Sequence, residues 1–460
     1  SGNVGVTSTT GDLTVSGNIS TTGNVALTAS AGNIVRTAGT ISGNALTLTA
    51  AGTNGAIGAA GAVLTDANSI AFSANGTGAV NITEANGANV SGTAGSGNVG
   101  ITSTTSDLGV VATGIVTAGG AVTLTAAGGG ARINIGAGAT VDTTNGVPAG
   151  ANINLIADNA DILGTINAGT GGTVAIRQAS AGRLISLGSD EPVSLGLTST
   201  EFDQITAKSI VIGDANSGDL GIFAAIAPAH AATLSLNTGG AISQAAGATI
   251  AVGTLTGSSV GATTLGEANV IGTLGNFSAA GFSLTNAAAL NVTGAVDGGS
   301  SASLSTSAGD LTISGSITGT TTTLGAAGAI SEAAGGVITA TTLNGTAVNS
   351  SSLAGTGNQI QQLGSFSVTG AGQGLSVLNN RALDVTWPVS VGAGGDIALT
   401  TSAGALTIDS ALTGGAVSLT GNAGLALNAN VSPATLTLAN SAAGISQGVS
   451  SNVLATGNTS

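Results

Sequence analysis

The sequence predicts an all-β protein that folds as a parallel β-solenoid with coils of roughly 20 residues. Three observations support this prediction: apolar residues recur in i, i+2 pairs, turn-forming residues separate the pairs, and long segments of sequence repeat. A spacing of two places both apolar side chains on one face of a strand. The Gly, Asn and Ser residues between the pairs tolerate the backbone conformations of tight turns. Short strands and turns therefore alternate along the chain.

The apolar pairs are the strongest local signal. The residue between the two members is usually Thr, Ala, Gly or Asn, which is typical of a strand with one buried face. No segment shows a sustained helical period, so we expect very little helix. The clearest pairs are Val4/Val6, Leu13/Val15, Val25/Leu27, Leu46/Leu48, Ile70/Phe72, Val80/Ile82, Val99/Ile101, Leu108/Val110, Val122/Leu124, Ile133/Ile135 and Val174/Ile176.

The distance between equivalent pairs indicates the length of one coil. The pairs that begin at Val4, Val25 and Leu46 follow one another at intervals of 21 residues. Strands of about three to five residues are unstable as isolated hairpins, but stacked coils join them into continuous parallel sheets around a narrow core. At this interval the chain contains about 22 coils.

Longer repeats support the same fold. The sequence SGNVGVTSTTGDL at 1–13 recurs at 96–108 as SGNVGITSTTSDL. A longer unit at 240–265 recurs at 328–353, where 13 of 26 positions are identical, and AGISQ at 443–447 begins another copy. Both ends of the chain thus fall inside repeats. We expect flanking coils of a longer chain, or further copies of this one, to cover the terminal strand edges.

The repeats predict one continuous solenoid over residues 1–460. Within it, residues 1–140 contain regular repeats, and residues 141–235 form less regular coils that are richer in charge. Residues 236–460 contain repeats with a long unit of roughly 88–95 residues.

Composition agrees with stacked coils and limits the classes of function. Only 6% of the residues are charged and 2% are aromatic. Like charges on successive coils would lie about 4.8 Å apart and repel each other. The net charge is −14 with six basic residues, so we expect neither nucleic-acid binding nor membrane insertion. The chain has no cysteine, which excludes disulfides and thiolate metal sites.

Several motifs carry a resemblance to a known family. They are GDLTVSGNI at 11–19, GDLTISGSI at 309–317, and a unit of the form GAIS[QE]AAG…TL…LG[NS]FS that begins at 240 and at 328. These motifs resemble those of filamentous-haemagglutinin-like exoproteins, the large passengers of bacterial two-partner secretion. Repeats of this type cover most of the chain, and least clearly residues 140–235. The resemblance implies a right-handed β-helix, export through an outer-membrane pore, and a role in adhesion or biofilm formation.

The densest charge lies in the segment 158–230, which is the candidate for an active site. Polysaccharide-cleaving β-helices place an acid and a base on either side of the glycosidic bond in an outer groove. No two acids here repeat at the coil spacing, so we expect solvated loops and scattered ion pairs instead. The charged residues are Asp158, Asp161, Arg177, Arg183, Asp190, Glu191, Glu201, Asp203, Lys208, Asp214 and Asp219, followed by the only histidine, His230.

Single polar residues at turns have structural explanations. His230 has no second His or Cys with which to hold a metal, so we expect an exposed loop residue. The Gly-Asp-Leu turns at Asp12, Asp219 and Asp310 lack the tandem nonapeptide of calcium-binding β-rolls. We expect these aspartates to bond to their own turns. Asparagines beside glycines suit hydrogen-bonded ladders from coil to coil; examples are Asn24, Asn33, Asn44 and Asn98.

The sequence therefore predicts a non-catalytic structural protein, with no catalytic, cofactor-binding or metal-binding residues and no cofactor. We expect a shaft segment of a large secreted bacterial surface protein that supports adhesion, matrix or fibre formation. Its expected partners are flanking repeats, further copies of itself, and host-cell or matrix glycans. The alternative is a polysaccharide-active β-helix enzyme that uses the acidic cluster within 158–230.

Overall fold

The computed structural model describes residues 2–449 and 451–453. The chain is an all-β parallel β-solenoid of about 21 turns, with coils of about 21 residues and almost no helix. Contacts within the chain group it into two compact units, unit 1 (1–240) and unit 2 (241–460). Each unit is described by itself below, and the continuity of one solenoid over the whole chain stays a prediction.

The strands of unit 1 are mostly three to five residues long, and a few extend to twelve. In the described residues they are β1 (Val4–Ser8), β2 (Leu13–Val15), β3 (Ile19–Ser20), β4 (Val25–Ala29), β5 (Ile34–Arg36), β6 (Ile41–Ala50), β7 (Val63–Ala74), β8 (Val80–Glu84), β9 (Ala88–Ala94), β10 (Val99–Ser103), β11 (Leu108–Thr117), β12 (Val122–Ala126), β13 (Arg132–Ile135), β14 (Thr140–Asp142), β15 (Ile153–Ile156), β16 (Asn159–Ile162), β17 (Thr165–Asn167), β18 (Thr173–Arg177), β19 (Leu184–Leu187), β20 (Ser194–Leu197), β21 (Ile205–Ile212), β22 (Leu220–Ile222) and β23 (Ala231–Thr238), with one short helix, α1 (Ser199–Asp203).

The strands of unit 2 follow the same pattern. In the described residues they are β24 (Ile242–Gln244), β25 (Ala251–Ser259), β26 (Thr263–Ser278), β27 (Phe282–Asn286), β28 (Leu290–Val292), β29 (Ala295–Asp297), β30 (Ser301–Thr306), β31 (Leu311–Ile313), β32 (Ser316–Ala326), β33 (Ile330–Glu332), β34 (Val337–Ala347), β35 (Ser351–Leu353), β36 (Gln359–Val368), β37 (Leu375–Asn379), β38 (Leu383–Val385), β39 (Val389–Val391), β40 (Ile397–Thr401), β41 (Leu406–Ile408), β42 (Leu412–Gly421), β43 (Leu425–Leu427), β44 (Val431–Asn440) and β45 (Ile445–Gln447).

The register of the first coils confirms the predicted spacing. Val4 pairs with Val25, and Val25 pairs with Leu46, all in parallel. The strands β1, β2 and β3 pair with β4, β5 and β6 respectively. One coil therefore contains three strand segments, and each segment lies against its equivalent in the next coil.

The i, i+2 pairs supply the core, as predicted. Ten of the eleven pairs named above are buried at both positions, and Leu27, Leu48 and Leu124 have no exposed surface. The exception is Val4/Val6, because β1 pairs on one side only, with β4, and Val6 remains 41% exposed. Interior side chains stack on interior side chains of neighbouring coils, as Leu27 does between Val6 and Leu48, which keeps the narrow core dense.

The expected limit of three to five residues per strand is wrong for many coils. The strand β26 runs for 16 residues, and β7 runs for 12. The alternation of buried and exposed side chains in β26 breaks at Leu274 and Gly275, which are both buried. The pairing of β26 with β27 is interrupted between Leu265 and Asn269, where a step of four residues in β26 corresponds to two in β27.

Polar turn residues join successive coils. The backbone N–H of Asn24 donates to Oδ1 of Asn3, and Nδ2 of Asn44 donates to Oδ1 of Asn24. The backbone N–H of Ala121 donates to Oδ1 of Asn98. These bonds confirm the predicted asparagine ladders.

The expectation that turn aspartates bond to their own turns is wrong for Asp12 and Asp310. Oδ1 of Asp12 accepts the backbone N–H of Asn33, and Oδ1 of Asp310 accepts that of Ala329. The acceptors therefore reach the equivalent turn 21 or 19 residues later, not their own. Stacked turns of the same shape place the next N–H directly over the carboxylate.

Candidate functional site

The charged segment 158–230 lies on an irregular part of unit 1. The strands β19 and β20 pair in parallel, with Leu184 opposite Ser194, although they are close neighbours in the chain. The backbone N–H of Gly196 in β20 also donates to Oδ1 of Asn159 in β16. The strand β20 thus forms an extra layer of the stack, inserted between β16 and β19, and the helix α1 follows it.

The helix α1 was not expected. Its first turn carries a capping box, because Oγ1 of Thr198 accepts the backbone N–H of Glu201 while the Glu201 side chain accepts the N–H of Thr198. The sequence signal was the Thr-x-x-Glu spacing in TSTE at 198–201. Phe202 is fully buried and anchors the helix to the core.

Asp158 is a buried acid whose oxygens are occupied. Oδ2 accepts the backbone N–H of Gly130 at 2.8 Å and the hydroxyl of Ser180 at 2.6 Å, and Oδ1 accepts the Ser180 N–H at 2.7 Å. Burial by itself raises the pKa of Asp158, but these hydrogen bonds and nearby Arg183 outweigh it and lower the pKa below 3.8. The group is therefore an ionised carboxylate that joins three turns, and it is poorly suited to act as a general acid.

Glu201 is also occupied. Oε1 accepts the backbone N–H of Ile162 at 2.8 Å, and Oε2 accepts the N–H and hydroxyl of Thr198 at 2.7 and 2.9 Å. Only 7% of the residue is exposed. The carboxylate connects α1 to β16, which gives it a structural explanation.

The arginines of the segment bind acids or carbonyl groups, whereas Lys208 is exposed on β21. Nη1 of Arg132, which precedes the segment, lies 2.6 Å from Oδ2 of Asp161, and this hydrogen bond raises the pKa of Arg132. Nη1 of Arg177 lies 3.3 Å from Oδ2 of Asp214. The guanidinium of Arg183 donates to backbone carbonyls, including that of Asp158 at 3.0 Å. The predicted ion pairs are therefore present.

The remaining acids of the segment do not converge on Asp158 or Glu201 through hydrogen bonds. Asp190 accepts Nδ2 of Asn159 at 3.0 Å. Glu191 and Asp203 are exposed, and so is His230 in the turn before β23. The description "solvated loops" is wrong for Asp158 and Glu201, because the extra layer and α1 bury them.

Two further acids with restricted exposure lie outside this segment, the buried Glu84 and the half-buried Glu332, and sequence reasoning did not single them out. Glu84 has no exposed surface. Its Oε2 accepts the Thr65 hydroxyl at 2.5 Å, and its Oε1 accepts three backbone N–H groups, among them those of Ala67 and Ala85. In the register, Glu84 pairs with Ser103, which pairs with Ala126. A usable signal was an acid at a strand position where neighbouring coils carry Ser and Ala.

The second of these acids is Glu332 in unit 2. Its Oε2 accepts the backbone N–H of Gly355 and Nδ2 of Asn358, both at 2.8 Å. Its Oε1 is buried and has no hydrogen-bond partner. Burial raises the pKa of Glu332, and the two hydrogen bonds oppose that effect.

Two surface recesses lie outside the charged segment. In unit 1 a shallow recess of about 350 Å³ is lined by polar side chains of β9, β13 and adjoining turns, including Asn86, Asn89 and Asp107. In unit 2 a recess of about 390 Å³ beside β45 is mostly apolar. Within residues 2–449 and 451–453, no three His, Cys, Asp or Glu side chains group in a way that could hold a metal ion. The described part also lacks a helix that is long and apolar enough to span a membrane.

No protein-family model matches this chain, and neither a curated protein nor a solved structure is significantly similar to it. The resemblance to filamentous-haemagglutinin-like exoproteins therefore stays a prediction that rests on the repeat motifs. The shared property that the structure does show is the β-solenoid architecture.

Proposed function

We propose that the chain is a structural shaft segment of a large secreted bacterial surface protein, of the filamentous-haemagglutinin-like kind, on the cell surface or in the extracellular space. The observation that carries this proposal is that the polar groups of the coils bind other coils. Asn and Asp turn side chains accept the N–H of the next coil, and the buried acids join strands and turns. Such a chain is stabilised coil by coil along its length.

The proposed role is to support adhesion, matrix or fibre formation. Its proposed partners are further solenoid coils, from the same chain or from other copies, together with host-cell or matrix glycans. A surface with few charges and a modest net negative charge keeps such a protein soluble without attracting nucleic acid. The repeated coil makes length easy to vary, which suits a spacer.

The first experiment removes one whole coil. Deleting residues 25–45 brings Leu46 to the place of Val25 against Val4, so that every later side chain keeps its face. We expect the protein to fold and its export and adhesion to persist on the producing cell. The matched control deletes residues 25–34, which breaks the register and should abolish folding. If the whole-coil deletion is as damaging as the control, the shaft proposal is wrong.

The alternative function is a polysaccharide-active β-helix enzyme built on the 158–230 cluster. The density of acids favours it, but Asp158 and Glu201 are engaged in the hydrogen bonds described above. The test is release of reducing sugar from a panel of acidic and neutral polysaccharides, comparing the unchanged chain with Asp203→Asn. Asp203 is exposed, so its change separates chemistry from folding, whereas Glu201→Gln also disturbs α1. Sugar release that disappears in Asp203→Asn would establish the enzyme.

A further inference from the structure

Unit 2 contains the same buried polar network twice. In the first copy, Oδ1 of Asn269 accepts the backbone N–H of Ile250 at 2.8 Å. In the second, Oδ1 of Asn358 accepts the N–H of Ile338 at 2.7 Å. Both asparagines have no exposed surface. The next coil repeats the arrangement again, with Asn286 beneath Ile271 and Asn379 beneath Ile360.

One position differs between the two copies. The sequence GAISQAAG at 240–247 has Gln244 where GAISEAAG at 328–335 has Glu332. Oε1 of Gln244 accepts the backbone N–H of Glu267 and Nδ2 of Asn269, both at 3.2 Å. Oε2 of Glu332 accepts the equivalent pair, the N–H of Gly355 and Nδ2 of Asn358. These two oxygens therefore have the same role.

The second terminal atom of the side chain, Nε2 in Gln244 and Oε1 in Glu332, differs in role between the two copies. Nε2 of Gln244 donates to the carbonyl oxygen of Ala248 at 2.8 Å and to Oδ1 of Asn269 at 2.7 Å. The equivalent atom of Glu332 is Oε1, which is buried without a partner. The equivalent acceptors are the carbonyl oxygen of Gly336 and Oδ1 of Asn358. An ionised carboxylate presents an oxygen where the network requires a donor, whereas a protonated carboxyl supplies one.

The surroundings of the carboxyl favour the protonated form. A Cβ atom on Gly355 would lie 2.4 Å from the Gly336 carbonyl oxygen, 3.0 Å from Oε2 of Glu332 and 3.1 Å from Oδ1 of Asn358. Oε2 of Glu332 and two other oxygens therefore lie close together around Gly355, and among the described residues no ion pair includes Glu332. A buried charge without a compensating partner is costly.

No other charged group faces Glu332 from the strands packed around it. Its strand β33 pairs with β31 and β35, and β34 and β36 complete the coil and its neighbour. Apart from Glu332, these strands contain no charged residue. Asp310 precedes β31 and accepts the N–H of Ala329, at the opposite end of β33. Arg381 is exposed, beside Thr339 and Gln359 on the outer surface.

We propose that the Glu332 carboxyl is a pH-sensitive lock in unit 2, which closes when it is protonated and donates the hydrogen bond that Gln244 donates in the other copy. When the group ionises, the acceptors at Gly336 and Asn358 lose their donor and a charge is left buried. The coils around β33 then open more easily. A solenoid segment with this lock tightens in mildly acidic surroundings and loosens at neutral or alkaline pH.

The direction of this pH effect follows from the thermodynamic linkage between protonation and folding. The pKa of Glu332 is raised above its ordinary value of 4.5 because burial disfavours the charged form. Its contribution to stability is therefore fully present below about pH 4.5 and is lost as the pH rises through the pKa of the folded state. Each unit of increase in the pKa corresponds to about a tenfold change in the opening equilibrium.

The test measures hydrogen exchange of backbone amides in 330–360 at pH 5 and pH 8, as protection factors corrected for intrinsic exchange. We expect protection to fall at pH 8 in the unchanged chain, by about tenfold for each unit that the pKa is raised. In Glu332→Gln this fall should be absent. The reciprocal change Gln244→Glu should introduce the same fall in 242–271. Asp409→Asn, at an exposed acid of the same unit, should leave the fall unchanged.

Infrared spectroscopy gives a second readout that does not depend on stability. Between pH 5 and pH 8 we expect loss of the carbonyl band of a protonated carboxylic acid, in the unchanged chain but not in Glu332→Gln. The comparison variant Glu84→Gln removes the band of the other raised acid, so the two contributions separate. The proposal is overturned if Glu332→Gln keeps the full pH dependence of protection, or if its difference spectrum equals that of the unchanged chain. Neither outcome affects the shaft proposal.

Discussion

An interior side chain of this fold lies between two others in the same column. Ile330, for example, pairs with Leu311 in the coil before it and with Ser351 in the coil after it. It has no exposed surface. A substitution at such a position therefore affects three coils at once. The loss of folding free energy depends on how well the side chains above and below accommodate the new one.

The first prediction concerns the equivalent isoleucines of the long repeat. Ile242→Asp and Ile330→Asp should each destabilise unit 2 by several kcal/mol, because the new carboxylate is buried without a partner. The parent side chains are 1% and 0% exposed. Chemical denaturation followed by circular dichroism measures the change. Ser243→Asp is the matched control, since Ser243 is exposed on the other face of the same strand; equal effects of Ile242→Asp and Ser243→Asp would contradict the assigned faces.

Buried asparagine side chains also occupy interior positions, where their amide groups form hydrogen bonds with the backbone. Oδ1 of Asn379 accepts the backbone N–H of Ile360 at 2.9 Å, and its Nδ2 donates to the carbonyl of Ile360 at 2.8 Å. The side chain thus replaces a strand partner for Ile360 at the corner of a coil. Asparagine has the length and the two functional groups for this task, which explains why it recurs at 269, 286, 358 and 379.

At the scale of elements, the helix α1 depends on its N-terminal cap. We predict that Thr198→Ala destabilises unit 1 by about 1 kcal/mol, because the lost hydroxyl accepts the backbone N–H of Glu201 and donates to Oε2 of Glu201, while the bond from the backbone N–H of residue 198 remains. The measurement is the denaturation midpoint. Thr200→Ala, one residue into the helix and exposed, is the control and should be nearly neutral. A loss at Thr200 as large as that at Thr198 would mean that the cap is not the stabilising feature.

The elements also show why long strands and short turns coexist. A strand such as β26 passes a corner with a local shift of register, because its pairing with β27 stops at Leu265 and resumes at Asn269, opposite Asn286. Where a coil gains extra residues, as between β19 and β21, the solution is an additional layer and a helical turn. The extra residues of a coil thus change the structure only locally, and β21 and β23 pair in regular register again.

At the scale of the whole molecule, three acids with shifted pKa values set the pH dependence of stability. Burial raises the pKa of Glu84 and of Glu332 above 4.5, so their contributions are complete below that pH and are lost as the pH rises through the folded-state values. The pKa of Asp158 is shifted in the opposite direction. Although burial opposes it, hydrogen bonding lowers the pKa of Asp158 below 3.8, and its contribution is lost as the pH falls through that lowered value.

We therefore predict a higher melting temperature at about pH 4.5 than at pH 8. Thermal unfolding followed by far-ultraviolet circular dichroism measures it. The double variant Glu84→Gln/Glu332→Gln should lose most of the difference. A melting temperature that rises steadily up to pH 8 in the unchanged chain would contradict this assignment of the raised values.

The sequence by itself determined the coil. The interval of 21 residues, the buried faces of the apolar pairs and the turn positions are all local regularities, and the register of Val4, Val25 and Leu46 reproduces them. Because stacking requires each coil to resemble the next, the interval of the sequence repeat equals the length of one structural coil. Even α1 had a local signal in its capping spacing.

Only the tertiary structure decided what the polar side chains do. Asp158, Glu201 and Glu332 take partners that lie 22, 39 and 23 residues away, for example Ser180, Ile162 and Gly355. Those distances are set by how each coil bends and by the extra layer at β20, neither of which has a local period. Apolar burial follows from a pattern within a strand, whereas a buried carboxyl needs specific donors from other coils. For that reason the sequence shows that Glu332 stands where Gln244 stands in the earlier repeat, and only the folded coils show that one of its oxygens lacks a partner.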